Sequence, residues 1–123
     1  MEPQVKKVLI IDDDLNFADV LAAKVNSAGM KAVVMATGKE ALDYLTTHTA
    51  DFIIVDFIMP EMDGYTFSHV LEHDLRKSIP TVILTNFPEQ KHAPQDLEVY
   101  VKTEVNLDEF VSKIKQRLDV LSS

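Results

Sequence analysis

Several residues able to do chemistry follow runs of apolar residues in this sequence. They are Asp12-Asp13-Asp14, Asp56, Thr85 and Lys102. Three carboxylates held in one pocket repel one another and raise at least one pKa unless a cation neutralises them. A hard divalent cation such as Mg²⁺, with oxygen ligands, and the ammonium of Lys102 would both do so. A site of this kind could gather phosphoryl oxygens between a metal, an ammonium and a hydroxyl, with a carboxylate as the nucleophile.

Alternating strands and helices must position these residues. Apolar runs predict five strands, at Val5–Ile11, Lys31–Ala36, Phe52–Val55, Pro80–Leu84 and Val99–Val101. Helical spacing and capping residues predict helices between the first four strands and at the end of the chain, the third of them over Tyr65–Lys77. This alternation predicts an α/β fold with a parallel sheet covered by helices on both faces. In open sheets of this kind chemistry takes place beyond the carboxyl ends of the strands.

Composition narrows the class of protein. The 123 residues fit a single domain, 1–123, that can bury a core without disulfides. The absence of cysteine excludes thiol catalysis and thiolate metal sites, and it fits a cytoplasmic protein. The formal net charge of −8 disfavours direct nucleic-acid binding. No apolar run approaches the roughly 20 residues that span a bilayer, so no membrane partner is expected.

The motifs resemble those of the receiver domains of bacterial two-component response regulators. The resemblance is carried by Val8–Asp14, Val55-Asp56, Met59–Gly64, Thr85 and Lys102, and it covers nearly the whole chain. The stretch from Asp56 to Gly64 is its most specific part. It implies a doubly wound, flavodoxin-like sheet of five parallel strands in the order 2-1-3-4-5.

The resemblance also implies a role for each matching residue. Asp12 and Asp13 would hold Mg²⁺, with Asp56 and the backbone carbonyl of Ile58 as further ligands. Asp56 would accept a phosphoryl group from a phosphohistidine. The phosphate-binding and switch residues would be Thr85, which hydrogen-bonds the phosphoryl group, and Lys102, which pairs with the phosphate or with Asp56.

The sequence departs from the family pattern after Thr85. Asn86 replaces the usual small residue, Val99 stands where the switch aromatic is expected, and Thr103 replaces the proline after the lysine. Pro88 and Pro94 disfavour a regular helix before the fifth strand, so we expect the fourth helix of the family fold to be short, displaced or absent. These changes affect the family's output face more than its phosphorylation pocket.

Two bulky apolar residues occupy the positions that usually govern access of water to the phosphoryl group. They are Ile58, two residues after the acceptor, and Phe87, two residues after the threonine. Both could exclude attacking water. The hypothesis is a phosphorylated form that decays slowly.

Ordinary structural explanations exist for each residue taken alone. Asp14 is expected to be only an N-cap, Thr85 could be a buried hydroxyl bonded to backbone, and Lys102 could be a surface charge. His69 and His73 lie one helical turn apart, but without a third ligand a solvated helix face is the better interpretation.

Function hypotheses from several classes stay open. The first is a phosphorylation switch that receives its phosphoryl group from a sensor histidine kinase or a histidine phosphotransfer protein, and that acts on a downstream protein or a missing output domain. It would catalyse only its own phosphorylation and dephosphorylation. The second is a degenerate pseudo-receiver, an interaction module that does not use the pocket. A Mg²⁺-dependent phosphohydrolase ranks lower because no second acid lies two residues after Asp56. A flavodoxin relative ranks lower because the loop after the first strand is acidic rather than a phosphate cradle.

Overall fold

The computed structural model describes residues 5–87 and 97–122, which form five strands and four helices. The strands are β1 Lys7–Ile11, β2 Lys31–Met35, β3 Phe52–Val55, β4 Thr81–Thr85 and β5 Glu98–Val101. The helices are α1 Leu15–Ser27, α2 Gly38–Thr47, α3 Gly64–His73 and α4 Leu107–Ser122.

The strands form one parallel sheet in the order β2-β1-β3-β4-β5. The predicted order and the predicted α/β class are therefore confirmed. The predicted bounds of β3 are confirmed, and those of the other strands differ by one or two residues, since β1 begins at Lys7 rather than Val5 and β4 extends through Thr85. The shift in β4 places Thr85 inside the sheet and not in the loop that follows.

Each central strand contributes to two separate apolar cores because successive side chains of a strand point to opposite faces. In β1, Val8 and Ile10 pack with α1 and α4, whereas Leu9 and Ile11 pack with α2 and α3. All four side chains are at most 1% exposed. Burial on both faces explains why the sequence of this strand is apolar throughout.

Two helix ends show how local backbone conformation sets the boundaries. Gly29, after the C-cap Ala28 of α1, has φ +90°, as expected of a glycine at a helix end. The third helix ends at His73, so the predicted extension to Lys77 was wrong. Arg76 there has φ +53°, a left-handed conformation that cannot continue a right-handed helix.

The connection between β4 and β5 is described only at its two ends. The prediction of a short or irregular fourth helix falls on residues 88–96, which lie outside the described residues. Within the described ranges, no helix combines the length and apolarity needed to cross a bilayer.

Candidate functional site

Backbone hydrogen bonds at the carboxyl edge of the sheet fix the predicted site residues. The amide of Asp12 donates to the carbonyl of Met35 at 3.0 Å, and the amide of Asp56 donates to the carbonyl of Ile11 at 2.9 Å. The amide of Lys102 donates to the carbonyl of Thr85 at 2.7 Å. Each site residue therefore continues the pattern of its strand, and four neighbouring strands deliver their polar residues to one place.

Three carboxylates meet at this edge. Asp12, Asp13 and Asp56 each offer an oxygen within 4.8 Å of the others, and among the described residues they are the one such group of three that could hold a metal ion. Asp12 is 3% exposed and Asp56 is 7% exposed, whereas Asp13 is open to solvent. Asp14 lies outside this group and caps α1 by accepting a hydrogen bond from Phe17 N, as expected.

The side chain of Lys102 is buried in this pocket and places its ammonium beside two of the carboxylates. Its Nζ lies 2.6 Å from Oδ2 of Asp12 and 3.8 Å from Oδ2 of Asp56. Its side chain is only 5% exposed, so the interpretation as an ordinary surface charge was wrong. Three carboxylates and one ammonium leave a formal excess of two negative charges, which is the charge that one divalent cation neutralises.

The electrostatics of Asp56 follow from this crowding. Burial raises the pKa of its carboxyl from 3.8 to about 7, and repulsion by Asp12 acts in the same direction. The ammonium of Lys102 opposes the rise, and Asp13 adds to it. In the metal-free protein the carboxyl of Asp56 is therefore only partly ionised near neutral pH, and a further cation would favour its ionised form.

Thr85 is the last residue of β4, at the same edge of the sheet, and it is 0% exposed. Its Oγ1 accepts a hydrogen bond from the amide of Phe87 at 3.2 Å. The backbone contact expected of a buried hydroxyl is thus present, and it uses the hydroxyl oxygen as an acceptor.

The loop after Asp56 depends on a glycine. A Cβ added at Gly64 would lie 2.9 Å from the carbonyl oxygen of Asp56, closer than side chains tolerate. The amide of Gly64 also donates to the carbonyl of Phe57 at 2.8 Å. Asp63 then caps α3 by accepting from the amide of Thr66 at 2.7 Å. This close approach explains why glycine follows aspartate here.

The residues predicted to control water lie at the rim of the edge. Ile58 is 49% exposed and Phe87 is 42% exposed, so each keeps about half of its apolar surface in solvent. Their effect on water, and the ligand role of the Ile58 carbonyl, stay predictions. His69 and His73 have ring centroids 4.2 Å apart on the exposed face of α3, and no third ligand joins them among the described residues.

One contact of the site was missed by the sequence reasoning. The ring of Phe17, on the first turn of α1, lies under the Lys102 ammonium with 4.3 Å between Nζ and the ring centroid. In the sequence, helical spacing groups Phe17 with Val20, Leu21 and Val25 on an apolar stripe of the first helix, which predicts a core residue and no contact with the site. The available signal was its place in the first turn of α1, which begins directly after the acidic pair.

Comparisons with known proteins identify the family of this chain. Residues 8–119 match the family model of the response regulator receiver domain. Response regulator Rre1 of Synechocystis is 36% identical over 80 residues, which cover 63% of this chain and 35% of that protein. A probable transcriptional regulator, ycf27 of Cyanidium caldarium, is 35% identical over 78 residues, covering 63% and 30%. The chain spans about a third of the length of these relatives.

Solved structures show the same architecture. The receiver domain of the Francisella response regulator 1452 superposes with a TM-score of 0.80 at 27% identity, covering 94% of this chain and 98% of that one. The chemotaxis response regulator CheY4 of Vibrio cholerae superposes with a TM-score of 0.77 at 28% identity, covering 94% and 99%. This chain belongs to the response regulator receiver family, the phosphorylation-dependent signalling domains of two-component systems.

Proposed function

We propose that this chain is a cytoplasmic switch in which Asp56 accepts a phosphoryl group from a phosphohistidine, with Mg²⁺ as cofactor. The observation that supports it most directly is the burial of Asp56 beside Asp12 and the ammonium of Lys102. The donor would be a sensor histidine kinase or a histidine phosphotransfer protein.

The reaction at Asp56 follows from the groups around it. A carboxylate oxygen of Asp56 forms a bond to phosphorus while the bond between phosphorus and the imidazole nitrogen breaks. The electron pair of that bond stays on the nitrogen of the donor histidine. Lys102 and the hydroxyl of Thr85 donate to phosphoryl oxygens and compensate their charge, which is most of what phosphoryl transfer requires from a protein.

The donor set of the pocket fits Mg²⁺. Three carboxylates, those of Asp12, Asp13 and Asp56, supply hard oxygen ligands, and we propose the backbone carbonyl of Ile58 as a fourth. The ion would neutralise the excess negative charge and keep Asp56 ionised at neutral pH.

The pseudo-receiver alternative keeps the same pocket but makes no use of it. Its support is the unusual sequence after Thr85, at Asn86, Val99 and Thr103. None of these residues belongs to the acidic group or to the ion pairs of Lys102. The geometry therefore favours a phosphorylatable domain. The departures from the family pattern concern how phosphorylation would be communicated to a partner.

We infer that the output is a protein contact. A downstream partner or a further domain would read the phosphorylated state of Asp56. Direct nucleic-acid binding by this chain is not part of the proposal, because the net charge is −8. The catalysis would be limited to phosphorylation and dephosphorylation of Asp56 itself.

Intact mass after incubation with Mg²⁺ and acetyl phosphate tests this proposal. We expect a gain of one phosphoryl group in the wild type and none in Asp56→Asn. Asp19→Asn, an equal change at an exposed position of α1, should keep the gain. A wild type that stays unmodified with this small donor and with a phosphohistidine donor would favour the pseudo-receiver.

A further inference from the structure

The ammonium of Lys102 has three neighbours of different chemistry. Two are carboxylates, with Asp12 at 2.6 Å and Asp56 at 3.8 Å from Nζ. The third is the ring of Phe17, whose centroid lies 4.3 Å from the same nitrogen. A cation over an aromatic face is attracted by the ring quadrupole, and more strongly where water is excluded. With a side chain 5% exposed, Lys102 meets that condition.

Phe17 is held in place independently of Lys102. Its amide donates to Oδ1 of Asp14, the N-cap of α1, at 3.2 Å. The remainder of its side chain packs against the apolar core between the sheet, α1 and α4. The cap therefore fixes the backbone of Phe17 directly after the acidic pair, and packing against the core supports its ring.

The two carboxylate partners of Lys102 are not constant. Asp12 already accepts the amide of Asp14 on Oδ1 at 2.9 Å, and its Oδ2 would be shared between Lys102 and a metal ion. Asp56 loses its free carboxylate when it is phosphorylated. The Phe17 ring keeps the same charge distribution in every state, so it is the one of the three neighbours that phosphorylation leaves unchanged.

We propose that Phe17 is a positioning residue that holds the Lys102 ammonium beside Asp56 through a cation–π contact, and so speeds phosphorylation. The proposal deepens the function proposed above and rests on it. Without the ring face, only Asp12 and Asp56 would position the ammonium. Its stabilisation of the charge on the phosphoryl group would then be weaker. Phe17 acts through Lys102 and touches neither the acceptor nor the phosphoryl donor.

Two substitutions separate the ring face from its bulk. Phe17→Leu keeps an apolar side chain in the core but removes the quadrupole. Phe17→Tyr keeps the aromatic face, and because Phe17 is only partly buried we expect the added hydroxyl to reach water. Phe110→Leu is the matched control, since Phe110 belongs to the same core but its ring packs on Tyr100 rather than on Lys102.

The first measurement is the NMR spectrum of Lys102 in the metal-free protein. The ring current of Phe17 should shift the ε-methylene protons of Lys102 upfield of those of exposed lysines. Phe17→Leu should abolish the shift, whereas Phe17→Tyr and Phe110→Leu should retain it. A wild-type spectrum without the shift would overturn the proposal, whatever happens at Asp56.

The second measurement is the rate of phosphorylation by acetyl phosphate with Mg²⁺. We expect Phe17→Leu to slow it about two- to tenfold, the range that a cation–π contact supports, and Phe17→Tyr to restore it. Phe110→Leu should lower stability without changing the rate. An equal loss of rate in Phe17→Leu and Phe110→Leu would show a merely structural role and refute the proposal.

A double-mutant cycle in urea completes the test without phosphorylation. Phe17→Leu should lower the folding equilibrium constant more in the wild type than in a Lys102→Ala background. Equal losses in both backgrounds would contradict the contact. A wild type that shows the NMR shift and the coupling but takes no phosphoryl group would instead sink the proposed function and leave the contact established.

Discussion

Two regions of this protein use the same pair of residue types at nearly the same distance. At the carboxyl edge of the sheet, Lys102 lies 2.6 Å from Asp12, with side chains 5% and 4% exposed. Between α1 and α4, Lys24 lies 2.8 Å from Asp108, with side chains 34% and 78% exposed. Similar distances therefore describe one ion pair inside the protein and one in contact with solvent.

Burial rather than distance decides how much each ion pair contributes to stability. A buried pair is expensive because both charges lose their hydration, and its attraction need not repay that cost. A solvated pair contributes little in either direction. The pair at the sheet edge is therefore better explained by the chemistry it supports than by stability.

The largest effect should come from removing the buried cation. Lys102→Ala takes away a preorganised donor to the phosphoryl group, and loss of such a donor typically slows a reaction by about 10²-fold or more. We expect a loss of that order in the rate of phosphorylation by acetyl phosphate. Lys24→Ala should leave the rate unchanged, and a loss of less than about threefold in Lys102→Ala would contradict the assignment.

The next effect concerns the stability of the metal-free protein and its pH dependence. The folded state holds the pKa of Asp56 at about 7, above its ordinary value of 3.8. Between these values the folded state binds more protons than the unfolded state, so the free energy of unfolding falls as pH rises. Asp56→Asn should therefore stabilise the protein above pH 7, by at most about 4 kcal/mol, and should have little effect near pH 4.

Urea unfolding in EDTA at several pH values measures this effect. Asp19→Asn, which removes a charge from the exposed side of α1, should show no such pH-dependent gain. Added Mg²⁺ should stabilise the wild type at high pH and narrow its difference from Asp56→Asn. If Asp56→Asn were less stable than the wild type at pH 8 in EDTA, the ionised carboxylate of Asp56 would not destabilise the folded state as expected.

The sequence was sufficient to predict which residues meet at the sheet edge. Parallel strands deliver their carboxyl ends to one side, so Asp12, Asp56 and Lys102 had to lie near one another once the strands were recognised. It could not show which carboxylate the lysine pairs with. Its flexible side chain reaches both, and only the packed pocket selects Asp12 at 2.6 Å over Asp56 at 3.8 Å.

The parts that sequence reasoning missed have physical causes. The left-handed backbone of Arg76 prevents α3 from reaching Lys77, and residue type rarely reveals that conformation outside glycine and asparagine. Phe17 was hidden because an aromatic residue on an apolar stripe contributes to the core whether or not it also contacts a cation. Helical period identifies such a residue as buried but does not show what its face touches.

A smaller effect should follow from the rim of the site. Ile58→Asn replaces an apolar side chain that is 49% exposed with one that can bind water near the phosphoryl group. We expect the phosphorylated form to decay several-fold faster, measured by the loss of the phosphorylated mass with time. Val20→Asn removes an equally exposed apolar side chain, 51% exposed on α1, and should leave the decay unchanged. Equal decay in Ile58→Asn and the wild type would count against control of water by Ile58.

The smallest effect belongs to the solvated pair. Lys24 lies in the last turn of α1 and Asp108 in the first turn of α4, so each also interacts favourably with its own helix dipole. The loss of stability in either single mutant therefore exceeds the interaction energy of the pair, and a double-mutant cycle is needed to isolate that energy. We expect a coupling of about 0.5 kcal/mol or less in urea unfolding, and a smaller one in 1 M salt, where the Debye length falls to about 3 Å. A coupling above about 2 kcal/mol that persists in high salt would show that a partly exposed pair can be strong. Burial would then not explain the difference between this pair and that of Lys102 with Asp12.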